Sequence, residues 1–458
     1  MKSSFLILSL VLAAALTGHA TTIIRITGSP LMRAATHAAL AVGNTAVYTG
    51  DNLSRASAAV FYTPDNSFIY KTSWSDSAPG IAAVAHNETV SFLPDNALQS
   101  IPPDVETGYG YMEFYVSNTD TSIPDVAMSA LFQNITGITP YLSDTKVGVQ
   151  PYKWISSQGL TKVQHLCAFG AGSNQVTVLS GTTSNLTPGM SLNGTWYVPG
   201  DARIGQIIDS TTFTMVKEGT TTPIYPFGTT SFNMNFYAPA SFDSVTPGLA
   251  QLVWLNGSAP LSMFTGNHGD QSVKIFALGQ ATTNNDRLNF LAESGVGINS
   301  YVVQYQPAFV GPSSVSSHTV WPPLTPTDPR GSSGYADASS MWAALTYTTS
   351  GIGGYYLTYA DIDTANNHIY SGAKEHSWNG VRYSLEALQE GAYTFWSYHH
   401  VMYKSYFDSP SPSDVEGLAK KDRIYWLKDA IKNTHATIKL STMNCLRVAD
   451  GGDVFSNF

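Results

Sequence analysis

Apolar residues recur along this chain in short runs, some continuous and some alternating, punctuated by Gly, Pro, Ser, Thr and Asn. The run Ile23-Ile24-Arg25-Ile26-Thr27 predicts a buried strand, and Gly28 breaks it. Ser29-Pro30 then has the chemistry of a helix start. A serine oxygen accepts from an otherwise orphaned N–H, and proline at the first helical position has no N–H to leave unpaired. The alanine-rich segment that follows Met32 predicts a helix. The same pattern returns downstream. Ala46–Ser54 and Phe68–Ser75 predict strands, and the second runs through Ser75-Asp76-Ser77-Ala78-Pro79-Gly80-Ile81 into a short helix over Ala82–His86. Asp125–Ala130 predicts a third strand, tipped by the hydroxyl of Ser129. Turns of this kind present free backbone N–H groups and a partial positive charge, a seat for an anion or polar ligand. In an open α/β sheet they collect at the carboxyl ends of the strands. Each serine has an ordinary alternative role as a turn or cap residue.

Farther along, Asp286–Glu293 predicts a helix with an acidic first turn. Asp422–Lys432 predicts an amphipathic one with Ile424, Leu427 and Ile431 at helical spacing. Between Asn174 and Glu218 the pattern changes to short alternating runs bounded by Gly, Pro and Asn, the signals of β-hairpins. Gly311–Gly334, rich in Pro, Gly, Ser and Thr, predicts a long surface loop.

Charge and composition narrow the function classes. The formal net charge is −9 with only 12% charged residues, and no basic stripe runs along the chain. Nucleic acid is therefore not expected as a partner. Lys2, the apolar run Phe5–Leu16 and Gly18-His19-Ala20 have the layout of a cleaved signal peptide over residues 1–20, and no run is long enough to span a bilayer. The expected location is periplasmic or secreted. Cys167 and Cys445 are the only cysteines, open to pairing as a disulfide or to burial as two small apolar side chains. Catalytic signals are poor: the sequence has no Gly-x-Ser-x-Gly elbow, no Walker loop and no His-Glu-x-x-His pair. His399-His400 are adjacent, so in a strand they face opposite sides. Asp361-Ile362-Asp363 and Asp450-Gly451-Gly452-Asp453 lack the oxygen spacing of a calcium loop. No enzyme, cofactor or metal is expected.

Taken in order, Ile26-Thr27-Gly28-Ser29, Ser75–Ile81 and Asp125–Ala130 resemble the phosphate-binding branch of the periplasmic substrate-binding proteins, the soluble receptors of ABC importers. Their usual elements are an Ile-Thr-Gly-Ser start, a Ser-x-Ser-x-x-Gly-Ile turn and an Asp-x-Ala-x-Ser-Asp strand end. Val147–Trp154 and Tyr393–His400 are similar to that family's two crossover strands, Asp243–Trp254 to its target helix and Ile352–Leu357 to its late glycine-tyrosine strand. The resemblance implies an α/β, two-lobed fold with discontinuous lobes, residues 21–147 with 396–458 and residues 148–395. The 174–218 segment resembles a small β-module inserted in the second lobe. It also implies a hinge-closing cleft with Ser29, Met32, Ser75, Ser77, Ser129 and Arg287 as ligand-binding residues, and ABC importer membrane subunits as partners.

Two departures bear on the ligand. The family's aspartate after the third strand end is Ala130 here. The family's Arg-Asp-x-x-Ser-Gly-Thr-Arg loop is Gln280-Ala281-Thr282-Thr283-Asn284-Asn285-Asp286-Arg287, which keeps only the final arginine. Each lost partner at such a site forfeits about 1–3 kcal/mol, and Asp286 adds like-charge repulsion. Met32 and the abundant aromatics suit a less charged ligand or an ordinary core. Two functions follow as expectations: an exported receptor for a small anion or polar solute, or a surface-associated structural or adhesive protein that keeps the fold without binding phosphate.

Overall fold

In the computed structural model, residues 21–100, 119–158, 162–193, 196–237, 242–309, 315–323, 325, 328–346 and 353–457 are described. Residues 1–20, expected as a signal peptide, and parts of the segment expected as the 311–334 loop lie outside them. The β-branched run Thr22–Gly28 is strand β1, and Arg33–Ala41 is helix α1. Strands β2 (Thr45–Tyr48), β3 (Ala58–Tyr62) and β4 (Phe68–Trp74) follow. Helix α2 spans Ser77–His86, beginning five residues before the predicted helix because Asp76 in extended conformation lets the turn start at once. Then come β5 (Val126–Ser129) and the long β6 (Ser143–Ser156).

β1 pairs in parallel with β4 on one side and β5 on the other, with Gly28 opposite both Trp74 and Met128. The three hydroxyl-tipped ends therefore lie side by side. Gly28, at φ +122, makes this possible: a Cβ there would stand 2.0 Å from the Met128 carbonyl oxygen. Gly80 of α2 also packs closely against Gly28, its own added Cβ falling 2.5 Å from the Gly28 Cα.

A closed six-stranded barrel follows β6: β7 (Lys162–Phe169), β8 (Gln175–Val178), β9 (Ser191–Asn193), β10 (Ala202–Ile207), β11 (Thr212–Lys217) and β12 (Thr230–Tyr237). The strand order is β8-β11-β10-β9-β12-β7. Its interior holds Cys167, Phe169, Val176, Leu192, Ile204, Phe213, Met215, Met234 and Phe236. The barrel thus encloses the hairpin-rich 174–218 segment and adds a strand on either side of it. Closure removes the exposed edges that an isolated hairpin pair would leave.

The chain re-enters α/β structure with α3 (Pro247–Asn256), capped by the Thr246 hydroxyl, then β13 (Ser258–Pro260), β14 (Lys274–Ala277) and α4 (Asn285–Glu293). β15 (Gly354–Asp361), α5 (Ile362–Tyr370), β16 (Lys374–Trp378), β17 (Trp396–Tyr403) and α6 (Val415–Ala430) complete the set. The mixed sheet runs β13-β14-β15-β6-β17-β5-β1-β4-β3-β2. β6 and β17 are antiparallel neighbours at its centre and link two hydrophobic cores. The first core gathers Ile24, Ile26, Leu40, Phe61 and Tyr70 with Ile424, Leu427 and Ile431, the helical stripe read from sequence. The second is aromatic, with Trp154, Trp254, Phe290, Tyr359, Trp378 and Phe395. Two α/β lobes joined by two crossover strands make this a two-lobed α/β architecture with discontinuous lobes.

Some particulars depart from the sequence reading. Ile438, Met443 and Cys445 follow the return to the first lobe yet pack in the second core. Within the expected 311–334 loop, Val315–Val320 pairs with Tyr305–Phe309 as a hairpin, because His318 packs against Phe276 and Tyr305. Cys167 and Cys445 are both free and buried, and burial pushes the Cys167 thiol up to about 12. Among the described residues, no helix is long and apolar enough to cross a membrane.

Candidate functional site at the interlobe seam

The ends of β1, β4 and β5 face the N-terminus of α4 across the seam, and each wall supplies partners to the other. Ser29 Oγ accepts from Leu31 N (3.3 Å), closing its own turn, and also from Asn285 Nδ2 (2.8 Å). Asn285 Oδ1 in turn accepts from the Ser77 backbone N–H at 2.9 Å. Ser77 Oγ accepts from Ala130 N (2.8 Å), so the second turn braces the third strand end. Ser129 Oγ accepts from Leu131 N (2.9 Å) and donates to Leu131 O (2.7 Å). Asn289, one helical turn beyond Asn285, donates to the Ala130 carbonyl (3.1 Å) and the Tyr152 hydroxyl (2.8 Å). Two carboxamides of α4 therefore occupy the hydroxyl and N–H seat of the first lobe.

The reciprocal contact is made by Asp76. Its carboxylate lies where the backbone and side-chain amides of Asn285 hydrogen-bond to it, at the positive end of α4. Burial holds the Asp76 carboxyl up at about 7, against the lowering effect of those hydrogen bonds. Asp286 is raised well above the usual carboxylate range, first by burial and then by the charge of Asp361. Asp361 is itself raised by burial, although its Oδ1 accepts from Asp363 N and Thr364 N at 3.1 Å as the cap of α5.

Beside these contacts is a cavity of about 420 Å³ lined from both lobes. Pro30, Leu31, Arg33, Ser75 and Asp76 form one side; Gln280, Asn284, Asn285, Asp286, Asp337 and Asp361 are prominent on the other. Four carboxyl groups thus face one guanidinium, that of Arg33, whose Nε donates to the Ser54 carbonyl at 3.2 Å. Burial works to raise Asp337, yet hydrogen bonds from Ser339 and Ser340 hold it below its ordinary value. Anion chemistry is disfavoured here because a phosphate would meet the Asp337 carboxylate and would require Asp76, Asp286 and Asp361 to keep their protons. Among the described residues, no group of three or more His, Cys, Asp or Glu side chains is arranged to hold a metal ion.

Of the six residues read as ligand-binding, Ser75 lines the cavity, and it is exposed. Ser29, Ser77 and Ser129 gather at the seam as the strand-end pattern implies, but they are fully buried and bonded to protein. Met32 does not face the cavity: its side chain is fully buried in the first core, where a thioether is an ordinary packing group. Arg287 does not face it either. Its Nη1 donates to the Gln280 and Ser332 carbonyls (2.9 and 2.7 Å) and its Nη2 to Arg330 O (3.0 Å), tying the 328–333 segment to α4. The sequence reading missed Asp337 and the part played by Asn285. Asn284-Asn285-Asp286 was a usable signal for the latter, since Asn284 caps α4 and directs the next side chain across the seam.

The crossover histidines are both buried, one on each face of β17. His400 Nδ1 lies 2.8 Å from Asp144 Oδ1, and His399 is held by burial at about 3. Asp450 accepts from Phe132 N at 2.8 Å, and burial raises it to about 6.

No protein-family model and no curated protein matches the chain by sequence. Among solved structures it is similar to an ABC-type phosphate transport receptor from Vibrio cholerae, with a TM-score of 0.40 and 10% identity over 88% of this chain and 93% of that one. It is also similar to PstS from Borrelia burgdorferi, with a TM-score of 0.37 and 8% identity over 90% of this chain and 93% of that one. Likenesses this distant do not say what the chain binds.

Proposed function

We propose that the protein is an exported, two-lobed solute-binding protein that holds a small polar ligand, not phosphate, in the interlobe cavity. One observation carries the reading: a cavity of about 420 Å³, within the usual size of small-molecule sites, is lined by side chains from both lobes. A ligand there touches both walls at once and stabilises the closed arrangement by hinge motion about β6 and β17. Membrane subunits of an ABC importer are the matching partner class. Thermal unfolding against a panel of anions, neutral polyols and amines is the direct test. At least one neutral or cationic compound should raise the melting temperature and phosphate should not; a strong phosphate response overturns the assignment.

A second reading is favoured by the Asn285 contacts with Ser29 and Ser77, which fill the seat from within. On that reading the lobes are permanently closed, and the protein serves as a surface-associated structural or adhesive element through its barrel. Small-angle scattering decides between them, because a permanently closed protein shows no change with any compound of the panel.

A further inference from the structure

The charge lining the cavity deepens the solute-binding reading, on which this inference rests. The four carboxyl groups come from separate segments: Asp76 ahead of α2, Asp286 in the first turn of α4, Asp337 in a loop, and Asp361 at the start of α5. A second observation concerns a neutral side chain. Gln280 lines the same cavity and is fully buried. Its Nε2 donates to Asp286 Oδ2 (3.1 Å) and to the Tyr359 carbonyl (3.5 Å), while its Oε1 has no donor. A buried acceptor without a donor, beside carboxylates with room for more hydrogen bonds, calls for a ligand rich in N–H groups.

We propose that the interlobe cavity takes a small organic cation, an alkyl diamine or guanidinium compound, held by Asp76, Asp286, Asp337 and Asp361 with Gln280 Oε1 as a neutral acceptor. The charged and titratable groups facing it are these four carboxyls and Arg33. Burial keeps protons on Asp76 up to about pH 7 and on Asp286 and Asp361 beyond the usual range. An arriving cation replaces those protons, so binding releases them and strengthens as pH rises. Release from Asp76 alone gives about a tenfold gain in affinity between pH 6 and 8.

The test is titration calorimetry and thermal unfolding of the full chain with 1,4-diaminobutane, agmatine, myo-inositol, phosphate and calcium chloride at pH 6 and 8. The expected result is binding of an amine, tighter at pH 8 and accompanied by proton release into the buffer. Asp286→Asn should weaken it at least about tenfold. Asp337→Asn, at an exposed position where folding is not at risk, should weaken it by about threefold or more. A response to myo-inositol with none to the amines overturns the cation assignment and leaves the solute-binding reading in place. A response to calcium or phosphate in place of amines also overturns it. No response to any probe, with unchanged scattering, sinks both.

Discussion

In the first lobe the seam is made of short hydroxyls and backbone N–H groups at three parallel strand ends, with Asp76 as its one carboxyl. In the second it is made of carboxylates and carboxamides gathered from α4, the 336–339 loop and the start of α5. The first wall is local chemistry, since each serine closes its own turn or braces its neighbour. The second is assembled by tertiary structure. A hydroxyl and N–H wall alone would welcome an anion, and the opposing carboxylates reverse that preference. Selectivity in this cleft therefore belongs to the pair of walls and to neither wall by itself.

Replacing Asn285 by Asp should be the most disruptive single change. It sets a second carboxylate beside Asp76 and removes the donor to Ser29 Oγ, at a position that is 3% exposed. A loss of about 3–5 kcal/mol in urea unfolding is expected. A near-neutral result would mean the walls do not touch through this residue.

Arg287→Met comes next. It strips donors from the carbonyls of Gln280, Ser332 and Arg330, for a loss of about 2–4 kcal/mol. If Arg287 instead served a ligand, the variant would keep its stability and lose its ligand response, which would restore the original expectation for this residue.

The buried carboxyls of the two walls can be probed without mutation. Asp76, Asp286 and Asp361 have folded-state values raised above their unfolded ones, so the native protein binds more protons between the two sets of values. Stability is greatest when these groups are protonated and falls as pH rises from about 4 toward 7, by about 1.4 kcal/mol per pH unit for each extra proton held. Paired carboxylates elsewhere slope the other way, so the contribution is read as the difference between wild type and Asp286→Asn. Equal slopes would show that the wall titrates normally.

Met32→Leu should have the smallest effect, less than about 1.5 kcal/mol, with no change in ligand response, because the two side chains are close in volume. A selective loss of ligand binding in this variant would return Met32 to the cleft.

How far the sequence revealed all this follows the same division. The strand-glycine-serine units and the stripe of Ile424, Leu427 and Ile431 are encoded within short windows, where period and turn chemistry suffice, whereas the two crossover strands were legible only through the resemblance. Ser29, Ser75 and Ser129 could be grouped because parallel pairing aligns their strand ends. The acidic wall could not be assembled this way: Asp361 looked like part of a loose acidic cluster, and Asp337 sat in a segment with no period. Arg287 was misleading for a related reason. Its motif position suggested a ligand, while the carbonyls that hold it come from residues 330 and 332, in a segment read only as loop.

The barrel's anchorage has a practical consequence. Arg203 forms an ion pair with Glu218 and donates to the Ala373 carbonyl (3.1 Å), while Glu218 also accepts from Glu375 N (3.4 Å). Both chain connections of the barrel lead into the same lobe as well. It therefore travels with the second lobe as one piece, like the hand of a gauge whose dial is the first lobe. A fluorophore on its exposed rim, at Trp196 (75% exposed), and another near Val42 (65% exposed) would turn a small rotation about the crossover strands into a measurable change in energy transfer.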